Sequence, residues 1–306
     1  MNRDTLKIWI KAIRVPFFTA TIIPVAFGSI FAWSEAGNFF WGRFWLAMLG
    51  ALFAHAGTNL ANDYFDHLSG CDEANTTPTP FSGGSRVIQD GLIRPRQILF
   101  ASCASFILTA IIGLYLNYIS KGNIILIIGL IGIFLGIFYT AKPFHIGYGS
   151  LGELAVGIGF GPLMIMGSYY VQAEVLPFSV FLASIPIGIL ITLVLYINEF
   201  PDYTSDKKVG KRTLVVILGK KNAVILYHIL LASVYVAVTA LVVFQILPLL
   251  CLIVFLSLPL ALKAFMVSKS NFDKIYELLP ANAATIGLHS IIGLLLSAGV
   301  LIDKVF

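Results

Sequence analysis

The hydrophobic positions of this 306-residue chain fall into long unbroken runs rather than the alternating pattern of a soluble sheet. About twenty apolar residues suffice to cross a bilayer as a helix. Nine such runs can be delimited, roughly 15–34, 43–64, 96–118, 122–141, 151–173, 176–199, 222–244, 246–266 and 282–302. Only the short Gln245–Pro248 turn divides the seventh from the eighth. Pro24, Pro162, Pro186 and Pro259 interrupt runs, which membrane helices tolerate. Ahead of the first run, Lys7, Lys11 and Arg14 recur at helical intervals through Leu6, Ile8, Trp9, Ile10 and Ile13. That pattern predicts a helix lying on the membrane surface. No small-residue cleavage site follows it, so a signal peptide is not expected. The two longest polar intervals are about 65–95 and 200–221. The expected fold is an all-α polytopic membrane protein of nine transmembrane helices, with cap loops at those intervals.

Basic residues lean to one side of this arrangement. Arg3, Lys7, Lys11 and Arg14 precede the first run, and Arg86, Arg94 and Arg96 lie between the second and third. Lys142 follows the fourth run, six more (Lys207, Lys208, Lys211, Arg212, Lys220 and Lys221) follow the sixth, and Lys263, Lys269 and Lys274 follow the eighth. On the other side stand Arg43, Lys121 and Lys304. The positive-inside rule therefore puts the N-terminus and both long loops in the cytoplasm and the C-terminus outside. The long loops follow the second and sixth runs. A period of four suggests two four-helix units plus one further helix.

Composition agrees. The chain is 58% hydrophobic and 11% charged with a mean hydropathy of +0.91, whereas soluble domains average roughly 25% charged residues. A single membrane domain over 1–306 is expected. The formal charge of +5 is too small and scattered to argue for nucleic acid. No P-loop or dinucleotide glycine pattern occurs, so no nucleotide cofactor is expected. Cys71, Cys103 and Cys251 show neither metal-ligand spacing nor a disulfide framework. Cys103 and Cys251 lie in apolar runs and read as packing residues.

Against that background two acidic segments stand out. One reads Asn62-Asp63-Tyr64-Phe65-Asp66, then Asp72; the other reads Asn198-Glu199-Phe200-Pro201-Asp202, then Asp206. They share an Asn-x-x-x-Asp step and lie 136 residues apart. Six of the chain's 15 acidic residues are spent here, and carboxylates beside hydrocarbon are expensive enough to mark function. The four-residue step places Asn62 with Asp66 on one helix face, and Asn198 with Asp202 and Asp206 on another, although Pro201 is a candidate bend. Asp63 points elsewhere on its helix, and Asp72 follows a Ser69-Gly70 bend. Five converging aspartates repel one another, and a divalent metal resolves the conflict. Magnesium takes one or two carboxylates, waters and phosphate oxygens, which suits two sparse clusters holding a diphosphate. The bland alternative, two solvated helix ends capped by Asn and Asp, does not explain two copies at matched positions.

Cations suited to phosphate accompany the acids. Phe81-Ser82-Gly83-Gly84-Ser85-Arg86 combines backbone freedom with a guanidinium. Lys207, Lys208, Lys211 and Arg212 follow the second cluster, and part of that charge is simple positive-inside bias. Tyr139-Thr140-Ala141-Lys142 closes the fourth run on the same face. Arg14 reads equally as a phosphate contact or an interfacial anchor, and His55 as a residue able to line a cavity.

These residues resemble the UbiA-type intramembrane aromatic prenyltransferases along nearly the whole chain. The family's first motif is similar to Asn62, Asp63, Asp66 and Asp72, and its second to Asp202 and Asp206. Four stretches resemble the menaquinone-pathway branch, which attaches a polyprenyl chain to 1,4-dihydroxy-2-naphthoate. They are Arg14–Thr19, Asn62–Asp66 with Gly70-Cys71-Asp72, Gly149-Ser150-Leu151-Gly152-Glu153, and Gly210-Lys211-Arg212-Thr213-Leu214. In the hydroxybenzoate branch the step after the first motif is four residues, which here would land on Gly70. Lys142 departs from the family, which more often has an apolar residue or proline there.

The resemblance implies two magnesium ions on Asp63, Asp66, Asp72, Asp202 and Asp206, gripping a polyprenyl diphosphate. It implies Asn62 and Asn198 as orienting residues, and Arg86, Lys207 and Lys211 as groups that neutralise the leaving diphosphate. Arg14, Tyr139, Lys142, Tyr203 and Arg212 are the further substrate-binding candidates. Tyr64, Tyr139 and Tyr203 offer faces for an allylic cation. Acceptors of related branches (4-hydroxybenzoate, homogentisate or geranylgeranylglyceryl phosphate) stay open, as does a secondary transporter. Transporters, however, place ionisable residues near the midplane. A CDP-alcohol phosphotransferase is excluded, because Asp90-Gly91 is followed by Leu92-Ile93-Arg94 rather than that family's pattern.

Overall fold

Within hydrocarbon every backbone polar group has to be satisfied by its own segment, and the apolar runs accordingly become helices. The computed structural model describes residues 3–306, the side chain of Arg3 excepted. An N-terminal helix α1 (Arg3–Ala12) leads into α2 (Thr19–Ala36), α3 (Trp41–Ser69), α4 (Pro95–Ile119) and α5 (Ile124–Phe138). Then follow α6 (Gly152–Ala173), α7 (Phe178–Lys208), α8 (Lys220–Val243), α9 (Leu249–Asn271) and α10 (Ile275–Val305). Among the described residues eight helices are long and apolar enough to cross a membrane. The fourth expected run yields only α5, which is 15 residues long and gives way at Tyr139 to a turn. The protein is a multi-pass membrane protein.

Helix α7 is the axis of the apolar core. Val180, Ala183, Ile187, Leu190, Leu193, Ile197 and Phe200 are fully buried, packed by α2, α6, α8 and α10. In lipid, close backbone contact drives helix association more than hydrophobicity does. Gly161 illustrates it: a Cβ there would lie 2.5 Å from the Cα of Gly188 on α7. Helix α4, by contrast, leaves Ile107, Ile111 and Leu114 exposed on its outer face, as a lipid-facing helix would.

Of the boundaries that differ from the sequence expectation, two carry the acidic segments. Helix α3 runs on to Ser69 and α7 to Lys208, so the acidic residues stand on helices that outlast their apolar runs. Loss of apolarity ends a membrane contact; it does not end backbone hydrogen bonding. Gly70, left-handed at φ 74°, stops α3. Pro201 does not end α7. Its missing N–H orphans the Ile197 carbonyl, and Asn282 Nδ2 of α10 donates to that oxygen at 3.1 Å. The expected N-terminal helix is present, with Ala12 packed against Leu60, Val87 and Ile98 and with Ile8, Trp9 and Ile13 around them. Cys251 is buried as expected, whereas Cys103 is exposed on α4.

Candidate active site

A cavity of about 970 Å³ opens among α2–α7 and collects both acidic segments. On α3 the stripe His55, Asn59, Asn62 and Asp66 faces it, as the three- and four-residue steps require. On α7 the stripe Asn198, Asp202 and Asp206 does the same. Each asparagine oxygen is held from a neighbouring element. Thr140 Oγ1 donates to Asn62 Oδ1 at 3.0 Å, and Asn282 Nδ2 donates to Asn198 Oδ1 at 2.7 Å.

Beyond Gly70 a one-turn helix, Cys71–Ala74, returns the chain to the cavity mouth. It buries Asp72, whose Oδ2 has no hydrogen-bond partner among the described residues. The Gly83-Gly84 turn closes over the acids. Gly83 N–H donates to Asp202 Oδ2 at 3.2 Å, and Asn75 Nδ2 donates to Asp202 Oδ1 at 2.8 Å. Lys211 reaches in from the loop after α7, its Nζ 3.8 Å from Asp66 Oδ2 and 3.8 Å from Asp206 Oδ1. Tyr148 donates to Asp66 Oδ1 at 2.8 Å, and its ring lies 4.7 Å beneath the Lys211 ammonium.

The electrostatics follow. Burial, with Asp66 and Asp63 close by, pushes the Asp72 carboxyl up to about 8. Burial opposes the charge on Lys211, but Asp66 and Asp206 outweigh it and hold the ammonium well above the ordinary lysine range. Burial also lifts the Cys71 thiol to about 12, so this cysteine is an inert neighbour of Asp206.

The remaining expected site residues divide. Tyr139, Arg14 and Arg86 line the cavity. The Arg86 guanidinium is engaged with backbone, donating to the carbonyls of Asp72 at 2.6 Å and Asn75 at 3.3 Å. Asp63 does not line the cavity. One residue on from Asn62, it is turned about 100° round α3 and pairs with Arg14 and the Ser85 hydroxyl. Lys207 and Tyr203 are displaced likewise: one step past Asp206 and Asp202, they meet each other at 5.9 Å outside the cavity. The Arg212 and Lys142 side chains are exposed. Arg212 contributes its backbone, donating N–H to Tyr148 O at 2.8 Å. Tyr64 packs against the α1 cluster rather than the cavity.

Sequence reasoning missed Asn75, Ser85, Tyr148, Thr140 as a partner of Asn62, and Asn282. Tyr148 had a signal, since it adjoins Gly149–Glu153. Glu153 Oε1 accepts from Leu214 N at 2.6 Å, so two stretches noted for their resemblance to one branch meet in space.

The arrangement is that of a charged rim above an apolar chamber, and comparison with known proteins names it. Residues 21–286 match the UbiA prenyltransferase family. The chain belongs to the UbiA prenyltransferase family. It is a prenyltransferase by the same comparison, and its relatives are enzymes of that kind. It is 32% identical over 293 residues to the 1,4-dihydroxy-2-naphthoate octaprenyltransferase of Bacillus subtilis, covering 93% of this chain and 89% of that one. It is 28% identical over 296 residues to the 2-carboxy-1,4-naphthoquinone phytyltransferase of Synechocystis, covering 96% and 93%. In fold it resembles a UbiA homolog from Archaeoglobus fulgidus bound to GPP and Mg2+, with a TM-score of 0.71 at 17% identity, covering 96% of this chain and 99% of that one.

The donor set of this prenyltransferase can be tested against a divalent ion. Among the described residues no three His, Cys, Asp or Glu side chains gather closely enough to hold a metal by themselves. Magnesium does not need three: it is bound through one or two carboxylates plus waters and phosphate oxygens. The unpartnered, buried Asp72 Oδ2 beside Asp66, and the pair Asp202 and Asp206 opposite, fit that pattern.

Proposed function

We propose that this enzyme transfers a polyprenyl group from polyprenyl diphosphate to 1,4-dihydroxy-2-naphthoate, in a magnesium-dependent step of menaquinone biosynthesis. The observation that carries the reading is the junction, in one cavity, of two opposed carboxylate pairs with a long apolar chamber. The names of the Bacillus and Synechocystis relatives support the acceptor, and the GPP and Mg2+ of the Archaeoglobus protein support the donor and metal.

Asp66 and Asp72 would hold one magnesium ion and Asp202 and Asp206 a second. When bound, the ions withdraw charge from the diphosphate and make it a better leaving group. Lys211, fixed between Asp66 and Asp206, is placed to meet the charge that develops as the C1–O bond breaks. Tyr139 presents the one ring of the three expected that lines the cavity, available to the allylic cation. The prenyl chain would lie along Gly113, Leu116, Ile125, Gly129 and Gly132, where α4 and α5 leave room. The same apolar wall keeps water from the cation. The ring carbon then bonds to C1, and the ring carboxylate leaves as carbon dioxide.

The whole chain 1–306 forms one prenyltransferase domain in this reading. Helix α5 is a ninth crossing, and the helices form two units of four plus one. The basic loops support a cytoplasmic face for the site. The test is to incubate purified protein with magnesium, geranylgeranyl diphosphate and four acceptors: dihydroxynaphthoate, hydroxybenzoate, homogentisate and geranylgeranylglyceryl phosphate. Prenylated naphthoquinol as the main product is expected. Full activity in EDTA, or after Asp66→Asn together with Asp202→Asn, would end the metal reading.

A further inference from the structure

One polar group in the cavity has no use in the steps above. His55 lies seven residues before Asn62 on α3, which puts it about 10 Å deeper along the helix axis. Its side chain is buried, with 6% of its surface exposed, and it lines the cavity. Nδ1 sits 2.8 Å from the Thr21 hydroxyl of α2. That hydroxyl is fully buried and has no other partner among the described residues. Its proton therefore goes to Nδ1, and a neutral imidazole with Nδ1 accepting carries its own proton on Nε2. Nε2 makes no hydrogen bond among the described residues and is not closed off from the cavity.

The neighbouring donors at this depth are already spent. The hydroxyls of Thr58, Thr109 and Ser168 each donate to a backbone carbonyl. A prenyl chain is hydrocarbon and has nothing to offer a free N–H. An acceptor oxygen for it is available on the other substrate. The surroundings specify what carries that oxygen. The imidazole packs edge-on against Phe160 at 4.8 Å and is tilted against Phe18 at 5.2 Å. Phe160 belongs to a π-helical turn, Gly159–Leu163, that interrupts α6. Such turns are uncommon and cluster at functional sites; this one sets an aromatic face beside the donor.

We propose that His55 is the residue that holds and orients the acceptor, donating Nε2–H to a ring oxygen of an aromatic substrate seated against Phe160. Thr21 is a positioning residue, fixing the tautomer that presents the proton. The assignment rests on the aromatic acceptor reading and goes further by naming where the ring is gripped. Its consequence is a division of labour along one helix: Asp66 serves the diphosphate substrate, and His55, about three turns away, serves the ring.

The experiment compares His55→Phe, His55→Gln and Thr21→Val with the wild type, using geranylgeranyl diphosphate and dihydroxynaphthoate. His55→Phe keeps a ring of similar shape and removes the donor. It is expected to raise the acceptor KM by about tenfold, the usual scale for one lost hydrogen bond, while the KM for the prenyl diphosphate stays within about twofold. His55→Gln restores an N–H and recovers most of the loss. Thr21→Val frees the tautomer and gives a smaller rise in acceptor KM. An acceptor KM unchanged in His55→Phe, or both KM values rising together, overturns the assignment while leaving the aromatic reading intact. If His55→Phe does not fold, an unchanged acceptor KM in Thr21→Val overturns it. A wild-type enzyme that prenylates only geranylgeranylglyceryl phosphate overturns both.

Discussion

Lys211 Nζ lies 3.8 Å from Asp66 Oδ2, joining the loop after α7 to the last turns of α3. The same ammonium lies 3.8 Å from Asp206, so one cation spans both acidic segments. In the proposed reaction a group so placed would serve twice, lowering the repulsion between carboxylates at rest and meeting the departing diphosphate. Lys211→Gln is expected to lower kcat by about 10²–10³, the scale for one stabilising group at a developing oxyanion. Lys207→Gln, outside the cavity, should change kcat by less than about threefold. Steady-state kinetics on both variants decide the matter, and equal losses would remove the distinction.

The Asp72 carboxyl, raised to about 8 by burial and by Asp66 and Asp63, predicts a pH dependence for magnesium uptake at the proposed metal site. Below that value Asp72 carries a proton in the metal-free protein, and magnesium has to displace it. Apparent magnesium affinity should therefore rise with pH, by up to about tenfold per unit below 8, and level off above it. Magnesium titration of activity at pH 6.5, 7.5 and 8.5 gives the slope. Affinity that is flat over this window would show that Asp72 is not a ligand.

The helical character, the N-terminal helix and the cavity's two stripes were legible in the sequence because each depends on local periodicity. Asn62, Asp66, Asp202 and Asp206 follow from a four-residue step. The same logic turns Asp63 off the stripe; Lys207 and Tyr203, expected among the site residues, also stand one position past it, and none of the three lines the cavity. Asn75 and Asn282 were not legible, and Tyr148 only through the adjoining Gly149–Glu153 stretch, since each acts across a long gap in the chain. Asn282 is read only against Pro201, whose lost N–H leaves the Ile197 carbonyl to this asparagine of another helix. The length of α5 was not legible, because an apolar run does not reveal that Tyr139 begins a turn.

Gly84 and Gly91 share a left-handed backbone, at φ 76° and 68°, but differ in their surroundings. A Cβ on Gly84 would lie 2.7 Å from Asp72 Oδ2, whereas one on Gly91 meets nothing within 4 Å. Both Gly84→Ala and Gly91→Ala incur the backbone strain, about 1–2 kcal/mol. Only Gly84→Ala also displaces Asp72. Similar drops in melting temperature are expected from the two, with magnesium affinity falling in Gly84→Ala alone. Equal magnesium affinity in both variants would mean the glycine turn does not shape the metal site.

Asp63 and Asp66 are three residues apart and should fail in different ways. Asp63 is buried and ion-paired with Arg14, so removing either partner strands the other. Loss of one member of a buried pair costs about 3–5 kcal/mol, whereas removing both costs less. Arg14→Met is therefore expected to lower thermal stability in detergent more than Arg14→Met with Asp63→Asn. Asp66→Asn lies on the cavity wall, and should instead leave stability nearly unchanged while lowering kcat at least a hundredfold, on the order of the several kcal/mol a catalytic metal supplies. Thermal unfolding and single-turnover kinetics on the four proteins separate the two roles. A double variant as unstable as Arg14→Met alone would show that Arg14 acts elsewhere, and the diphosphate would again become its candidate partner.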